Sequence, residues 1–250
     1  TDHEIVEKVK EIYKGLTAPI LETKFKEAEM IKYANNSFLA TKISFINEIG
    51  NICKKLGIDT NVVAKGIGMD FRIGPHFLKS GIGFGGSCFP KDVSAITHRA
   101  TERGYNPRLL RAVLDVNREQ PLKLLEILER RMGNLQGKNI ALLGLAFKAD
   151  TDDIRESPVM QIIKELLAEQ SHLHAYDPVA SENTRKLFPS LNYAGMAQEA
   201  VNHADVILIL TEWPEFLKLD YGDKLVIDGK NLFDSEKAGM RPKNYEGVCW

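Results

Sequence analysis

Asn139-Ile140-Ala141-Leu142-Leu143-Gly144 is the point at which the chain changes character. Four apolar residues in a row, closed by glycine, are typical of a strand buried in a parallel sheet. Further strands are expected at residues 172–176, 205–210 and 224–227, with helices between them. Strands alternating with helices indicate a parallel sheet covered by helices on both faces. Ser157-Pro158 caps the helix after the first strand, since proline suits the first helical position.

Upstream of that run the pattern is helical. From Phe25 to Leu56 there is no proline and one glycine, Gly50, while Ile31, Ala34, Phe38, Ile46, Ile49, Ile52 and Leu56 recur on helical spacing. So long a helix, against a mean of roughly 11–12 residues, needs other helices or a second subunit to cover its apolar positions. Gly57 suits its C-cap. A shorter helix is expected from Asn61 to Met69, then a glycine-rich loop from Gly74 to Gly86. Two more helices follow, from Pro90 to Arg103 and from Pro107 to Met132, the second bent at Pro121 because proline removes a donor. The fold class is therefore α/β, an all-helical part followed by a parallel-sheet part, with a boundary at residues 133–138. The expected divisions are 1–24, 25–135 and 136–250.

Composition excludes several classes. The 250 residues carry 33 basic and 34 acidic side chains, a net charge of -1. Nothing resembles the basic stripe of a nucleic-acid binder. No apolar run approaches the roughly 18 residues of a membrane span, and no signal peptide opens the chain. Cys53, Cys88 and Cys249 are three, without CxxC spacing; a reducing cytoplasm fits, and a disulfide framework or zinc site does not. The six histidines have no metal-like spacing, so no metal is expected. Thr1 opens directly into a helical pattern, which suggests a missing upstream part.

Ser80-Gly-Ile-Gly-Phe-Gly-Gly-Ser-Cys-Phe-Pro-Lys-Asp92 is the stretch with most chemistry. Gly81, Gly83 and Gly86 formally satisfy GxGxxG, but no strand pattern precedes them, so a dinucleotide loop is not expected here. Pro90 suits the first turn of a helix, which puts Cys88 just ahead of its N-terminus. Free amide donors, the dipole and Lys91 favour negative charge on a thiol there. A thiolate so placed can attack an aldehyde and release the acid through a thioester, and Asp92 could position or deprotonate a water. A buried, inert cysteine on a tight turn fits the local sequence equally well.

Gly83-Phe-Gly-Gly-Ser-Cys-Phe-Pro-Lys-Asp92 resembles the active-site motif of the UDP-glucose 6-dehydrogenase family. The resemblance runs from about Phe25 to the end. It implies oxidation of a sugar C6 alcohol to a carboxylate with two NAD+, and Cys88 as the nucleophile. Lys32 and Asn36, four apart and so on one helix face, stand where the family has a catalytic lysine and asparagine; read alone they are ordinary solvated side chains. Gly68-Met-Asp-Phe-Arg72-Ile-Gly74 resembles the segment whose arginine reaches the substrate of a neighbouring subunit, implying a homodimer on the long helix 25–56. Phe77, Lys79, Ser80, Gly81, Ile82, Gly83, Phe84, Gly85 and Phe89 match the loop around the UDP-sugar.

Gly144-Leu-Ala-Phe147-Lys148, continuing to Arg155 and Pro158, also looks like the family. Phe147 would pack on a base or ribose, Lys148 lie near the phosphates, and Arg155, with Lys91, face the cofactor NAD. Lys230 stands where many relatives carry arginine. Asp177 is given no ribose-binding role. The sheet part is thus a Rossmann-like UDP-sugar-binding domain, the helical part a central dimerisation domain, and Thr1–Leu16 the last helix of an NAD-binding domain. By this expectation the chain alone dimerises and binds a UDP-sugar without dehydrogenase activity. Thr211-Glu-Trp213-Pro-Glu-Phe216 and Ala175-Tyr-Asp-Pro178 favour the UDP-glucose branch over the GDP-mannose one. The alternative of another class is a non-catalytic sugar-nucleotide-binding or dimerisation module with Cys88 inert.

Overall fold

The computed structural model describes residues 3–234 and 241–250. Helices α1 (His3–Ile12), α2 (Phe25–Leu56), α3 (Thr60–Gly68), α4 (Phe89–Glu102) and α5 (Arg108–Met132) precede every described strand. Then come β1 (Asn139–Leu143), α6 (Pro158–Ala168), β2 (His172–Tyr176), α7 (Ser181–Leu187), β3 (Asn192–Tyr193), α8 (Ala197–His203), β4 (Val206–Ile209), β5 (Leu225–Asp228) and β6 (Tyr245–Gly247). A helical part followed by a parallel sheet is the expected order.

Helix α2 ends where Gly57 turns left-handed, at φ 70°, and returns its N–H to the Cys53 carbonyl. Its buried residues are Ser37, Ala40, Ser44, Ile46, Asn47, Gly50 and Cys53. These are mostly small residues, so α4 and α5 can pack close to its backbone. Most of the large apolar residues face outward instead: Ile31, Phe38, Phe45 and Ile52 are 50%, 66%, 49% and 49% exposed. Helix α5 continues through Pro121 as one element rather than breaking there.

The six strands are parallel, in the order β3-β2-β1-β4-β5-β6. One face packs Leu124, Leu128, Ile162, Ile163 and Leu166 of α5 and α6. The other packs Ala197, Ala200 and Val201 of α8 with Phe216 and Phe233. Each leucine, isoleucine, valine or phenylalanine among them contributes roughly 1.5–3 kcal/mol on burial. Ser157 caps α6 by accepting from the Val159 N–H, with Pro158 in the first turn. The winding reverses between β1 and β4, so their following loops part and a crevice opens beyond the strand ends.

The two parts are fastened by charge. Glu246 of β6 meets Arg130, Arg131 and Lys54, the last two at 2.7 and 3.1 Å. Lys54 also donates to the carbonyls of Gly247 and Trp250. Strands β3 and β6 lie outside the sequence expectation, being two and three residues long with no apolar run.

Candidate active site

The glycine loop crosses the top of the crevice between α3 and α4, and its backbone is held from several sides. The Gly81 N–H donates to Asn47 Oδ1 at 2.8 Å, and its carbonyl accepts from Gln120 Nε2 at 2.8 Å. Ile82 donates its N–H to the Gly229 carbonyl, and Gly86 donates to the Arg155 carbonyl, both at 2.9 Å. A Cβ on Gly81 would come within 2.6 Å of the Gly229 oxygen, and one on Gly85 within 2.3 Å of the Glu156 oxygen. Those glycines are required by close approach of two backbones, not by a dinucleotide. No strand precedes them, in keeping with rejection of the GxGxxG match.

Cys88 is the N-cap residue of α4 and its side chain is exposed, whereas Cys53 and Cys249 are buried. The Asp92 N–H donates to the Cys88 carbonyl at 2.9 Å, closing the first turn. Asp92 itself is buried. Its Oδ2 accepts from Lys32 Nζ at 2.8 Å and Asn36 Nδ2 at 2.6 Å, and its Oδ1 from Lys91 Nζ at 2.7 Å. Burial pushes this carboxyl's pKa up, but the donors Lys32, Lys91 and Asn36 outweigh it and hold it down at about 2. The same bond to Asp92 raises the Lys91 ammonium's pKa. Lys32, Asn36 and Asp92 therefore converge, joining α2 to the helix that begins at Cys88. With both oxygens engaged and so low a pKa, Asp92 is a weak base and a strong anchor.

Beside the loop lies a cleft of about 290 Å³. Phe77, Lys79, Ser80, Gly81, Gly83, Phe84, Gly85 and Phe89 form one wall, and Phe147, Lys148 and Lys230 another. It thus lies against the loops after β1, β4 and β5, at the reversal of the sheet. Phe89 meets Phe77 and Phe84 edge-on, with centroids 6.1 and 5.8 Å apart. Phe77 sits at φ 63°, a left-handed conformation costly for a bulky residue. Lys230 Nζ donates to the Phe147 carbonyl at 3.0 Å and lies 3.5 Å from Glu212.

Ile82, expected around the sugar nucleotide, is placed otherwise, and three further residues stand apart from this cleft. Ile82 is fully buried in the sheet core, so its side chain is packing, not cleft wall. Arg72 does not line the cleft; its guanidinium forks onto Asp70, with Nη2 2.6 Å from Oδ2. Arg155 forks likewise onto Asp153, at 2.9 and 2.8 Å, and is mostly exposed. Asp177 is consumed by the sheet: its carboxylate accepts from the N–H groups of Leu145, Ala146, Val179 and Ala180 and from Trp213 Nε1. Ile43, Asn47 and Glu212 line the cleft although the sequence reading passed over them. Asn47 carried a signal: an amide on the stripe otherwise built of Ala40, Ser44 and Gly50 has to be buried. Among the described residues no His, Cys, Asp and Glu side chains cluster to hold a metal, and no helix is long and apolar enough to cross a membrane.

The site thus sets a thiol on a helix N-terminus, with an anchored carboxylate one turn on, beside a cleft at the sheet's reversal. Residues 26–119 match the UDP-glucose/GDP-mannose dehydrogenase family, central domain, and residues 141–235 match the same family's UDP binding domain. The chain belongs to that family. It is 49% identical over 219 residues to the UDP-glucose 6-dehydrogenase AglM of Haloferax volcanii, covering 86% of this chain and 51% of that protein. The structure of a UDP-glucose dehydrogenase from Pyrobaculum islandicum superimposes with a TM-score of 0.92 at 40% identity, covering 100% of this chain and 57% of that one. A GDP-mannose dehydrogenase structure from Pseudomonas aeruginosa gives 0.61 at 30% identity, covering 100% and 59%. The chain thus spans about half the length of the relatives it matches.

Proposed function

We propose that the protein oxidises C6 of UDP-glucose to the carboxylate of UDP-glucuronate, with two NAD+ as hydride acceptors and Cys88 as the covalent catalyst. The observation that carries this reading is the exposed Cys88 thiol at the start of α4, one residue from Phe89 in the cleft wall. The greater similarity to UDP-glucose than to GDP-mannose dehydrogenases supports the choice of sugar nucleotide. Lys79, Lys148 and Lys230 give the cleft the positive charge a diphosphate needs, and its phenylalanines give a ring or ribose flat apolar walls.

Hydride loss from C6, with the hydroxyl proton passing to solvent, gives an aldehyde. Lys32 and Asn36 stabilise the developing alkoxide, both held in place by Asp92. The Cys88 thiolate then adds to the aldehyde carbon, and the oxygen takes up a proton to form a thiohemiacetal. Loss of a second hydride and of that proton leaves a thioester. Water attacks it, the C–S bond breaks, and carboxylate and thiolate are released. In balance, one alcohol, one water and two NAD+ become one carboxylate, two NADH and three protons. Asp92 serves here by holding Lys32, Asn36 and Lys91 in place, being too weak a base to deprotonate the attacking water.

The nicotinamide supplies the hydride acceptor when bound. On the side of this chain Arg155, aimed by Asp153, and Lys91 fit its approach, since both side chains are exposed, Lys91 lies in the first turn of the helix that Cys88 caps, and the Arg155 carbonyl holds the Gly86 N–H two residues before Cys88. A homodimer through α2 is part of the same reading. Ile31, Phe38, Phe45 and Ile52 repeat every seventh residue along its exposed face, the period of a helix seam. Met69 and Phe71, beside Arg72, are exposed as well. Three unpaired cysteines suit the cytoplasm.

The test is to count NADH per UDP-glucose consumed by the full-length protein, with Cys88→Ser as control. Two equivalents, abolished by the substitution, are expected. Turnover of GDP-mannose instead would overturn the substrate, and no turnover with any sugar nucleotide would leave a binding module.

A further inference from the structure

We infer that Asn117 of α5 is the residue that positions Cys88 for capture of the aldehyde; this rests on the reading of Cys88 as nucleophile. Asn117 Oδ1 accepts from the Phe84 N–H at 2.7 Å, and Asn117 Nδ2 donates to the Phe84 carbonyl at 3.0 Å. One side-chain amide therefore satisfies both backbone groups of a single loop residue, as a neighbouring strand would. Among the side chains only an uncharged amide donates and accepts in one plane with that spacing.

The loop and the helix are shaped for each other at this point. Gly83 stands at φ 100°, and a Cβ there would fall 2.7 Å from Asn117 Oδ1 and 3.3 Å from the Asn117 carbonyl oxygen. That carbonyl faces Pro121 four residues on, which has no N–H to offer it. The loop thus docks where the α5 ladder is open.

The anchor reaches Cys88 through two rigid contacts. Phe84, nearly buried, packs edge-on against Phe89 at 5.8 Å and 87°, so Cys88 lies on a short span between residues that touch each other. Its downstream end is fixed by the Asp92 N–H on the Cys88 carbonyl, and Asp92 is fixed by Lys32, Lys91 and Asn36. Its upstream end is fixed by Asn117. Asn117 does not line the cleft beside Lys148 and Lys230; it borders a separate groove between α4, α5 and α6. It acts through the loop and has no access to the reacting atoms.

The first hydride transfer does not need the thiol, and the second does. Loosening the span should therefore let aldehyde escape before capture, which mere loss of stability would not do. The experiment compares full-length wild type, Asn117→Asp, Asn117→Leu, Asn117→Ser and Cys88→Ser. It measures NADH per UDP-glucose consumed and the free aldehyde trapped by a hydrazine. Asp keeps an acceptor but sets a carboxylate against the Phe84 carbonyl; Leu fills the space with neither bond; Ser admits water. We expect yields below two NADH, trapped aldehyde and acid formation slowed about tenfold or more in each. Folded variants that still give two NADH with no trapped aldehyde would overturn the inference. So would loss of fold in all three, since Asn117 would then hold the domain and not the nucleophile. If Cys88→Ser itself keeps two NADH, the reading of Cys88 fails instead; if it abolishes acid formation while the Asn117 variants match wild type, only this inference fails.

Discussion

Lys32 donates to Asp92 Oδ2 at 2.8 Å, sixty residues away in sequence, and Asn36 shares the same oxygen at 2.6 Å. The pair links the long helix to the first turn after Cys88. Asp92→Asn keeps the shape but turns an acceptor of three donors into a group with one acceptor oxygen, and leaves Lys32 and Lys91 without a counter-ion. Both lysines are exposed and regain water, but the new amide Nδ2 is buried and faces donors only; a buried donor left unpaired costs about 1–3 kcal/mol, so the variant should be less stable at pH 7 by that order. The sign with pH follows from the carboxyl being held at about 2, below its ordinary 3.8. Its stabilisation is complete above pH 4 and is lost as pH falls through 2. Denaturant titrations should show the gap between wild type and variant narrowing from pH 4 towards pH 2; a constant gap would sever Asp92's charge from stability.

That cluster also marks the limit of what the sequence displays. Lys32, Asn36 and Asp92 were each visible by type and by resemblance, yet their convergence depends on α2 and α4 crossing, which no local pattern encodes. The strands with apolar runs, at β1, β4 and β5, announce themselves because central parallel strands are buried on both faces, while β2, His172–Tyr176, shows only the alternation of a strand with one buried face. Asn192–Tyr193 and Tyr245–Gly247 do not, since edge strands of two or three residues carry no run. Asn117 and Gln120 were missed because an amide on a helix is ordinarily solvated. Their signal was position: Gln120 is buried and Asn117 half-buried on the side of α5 that carries Val113, Pro121 and Leu124, where a polar side chain must find a partner.

Cys88 should be the one cysteine that reacts in the native protein. Cys53 and Cys249 are buried, and burial pushes the Cys249 thiol's pKa up to about 11. Iodoacetamide at neutral pH, followed by peptide mass mapping, should label Cys88 alone, with the other two appearing only in denaturant. Bound UDP-glucose should slow the labelling, because Gly85 and Phe89 on either side of Cys88 line the cleft. Early labelling of Cys249 would mean that the segment after β6 opens in solution.

The seven-residue repeat of Ile31, Phe38, Phe45 and Ile52 predicts a dimer that depends on that face of α2. Phe38→Glu and Phe45→Glu place charges on a surface already 66% and 49% exposed in the single chain, so each should leave folding intact. Light scattering should show the wild type near twice the chain mass and the double variant as a monomer. A wild type that is monomeric at micromolar concentrations, or a double variant that still pairs, would exclude α2 as the seam.

Gly144, which follows β1, leaves as little room for a side chain as Gly85 does. Its φ is 95°, and a Cβ there would lie 2.3 Å from Thr211 Cβ and 2.6 Å from the Thr211 backbone nitrogen. Thr211 cannot retreat, because its hydroxyl donates to the Ala146 carbonyl at 2.7 Å and its N–H to the Leu143 carbonyl. Gly144→Ala must therefore pull the strand ends β1 and β4 apart, adding backbone strain of order 1–3 kcal/mol to a steric clash. A loss of several kcal/mol is expected, visible as a lowered denaturation midpoint. Phe147 and Lys148 follow Gly144, and Glu212 follows Thr211, so the cleft should widen and affinity for UDP, read by calorimetry, should fall with it. Thr211→Gly in the same chain removes the Cβ contact but not the backbone one, so it should restore little. Substantial rescue by that second change would place the obstruction in the side chain and overturn the backbone argument.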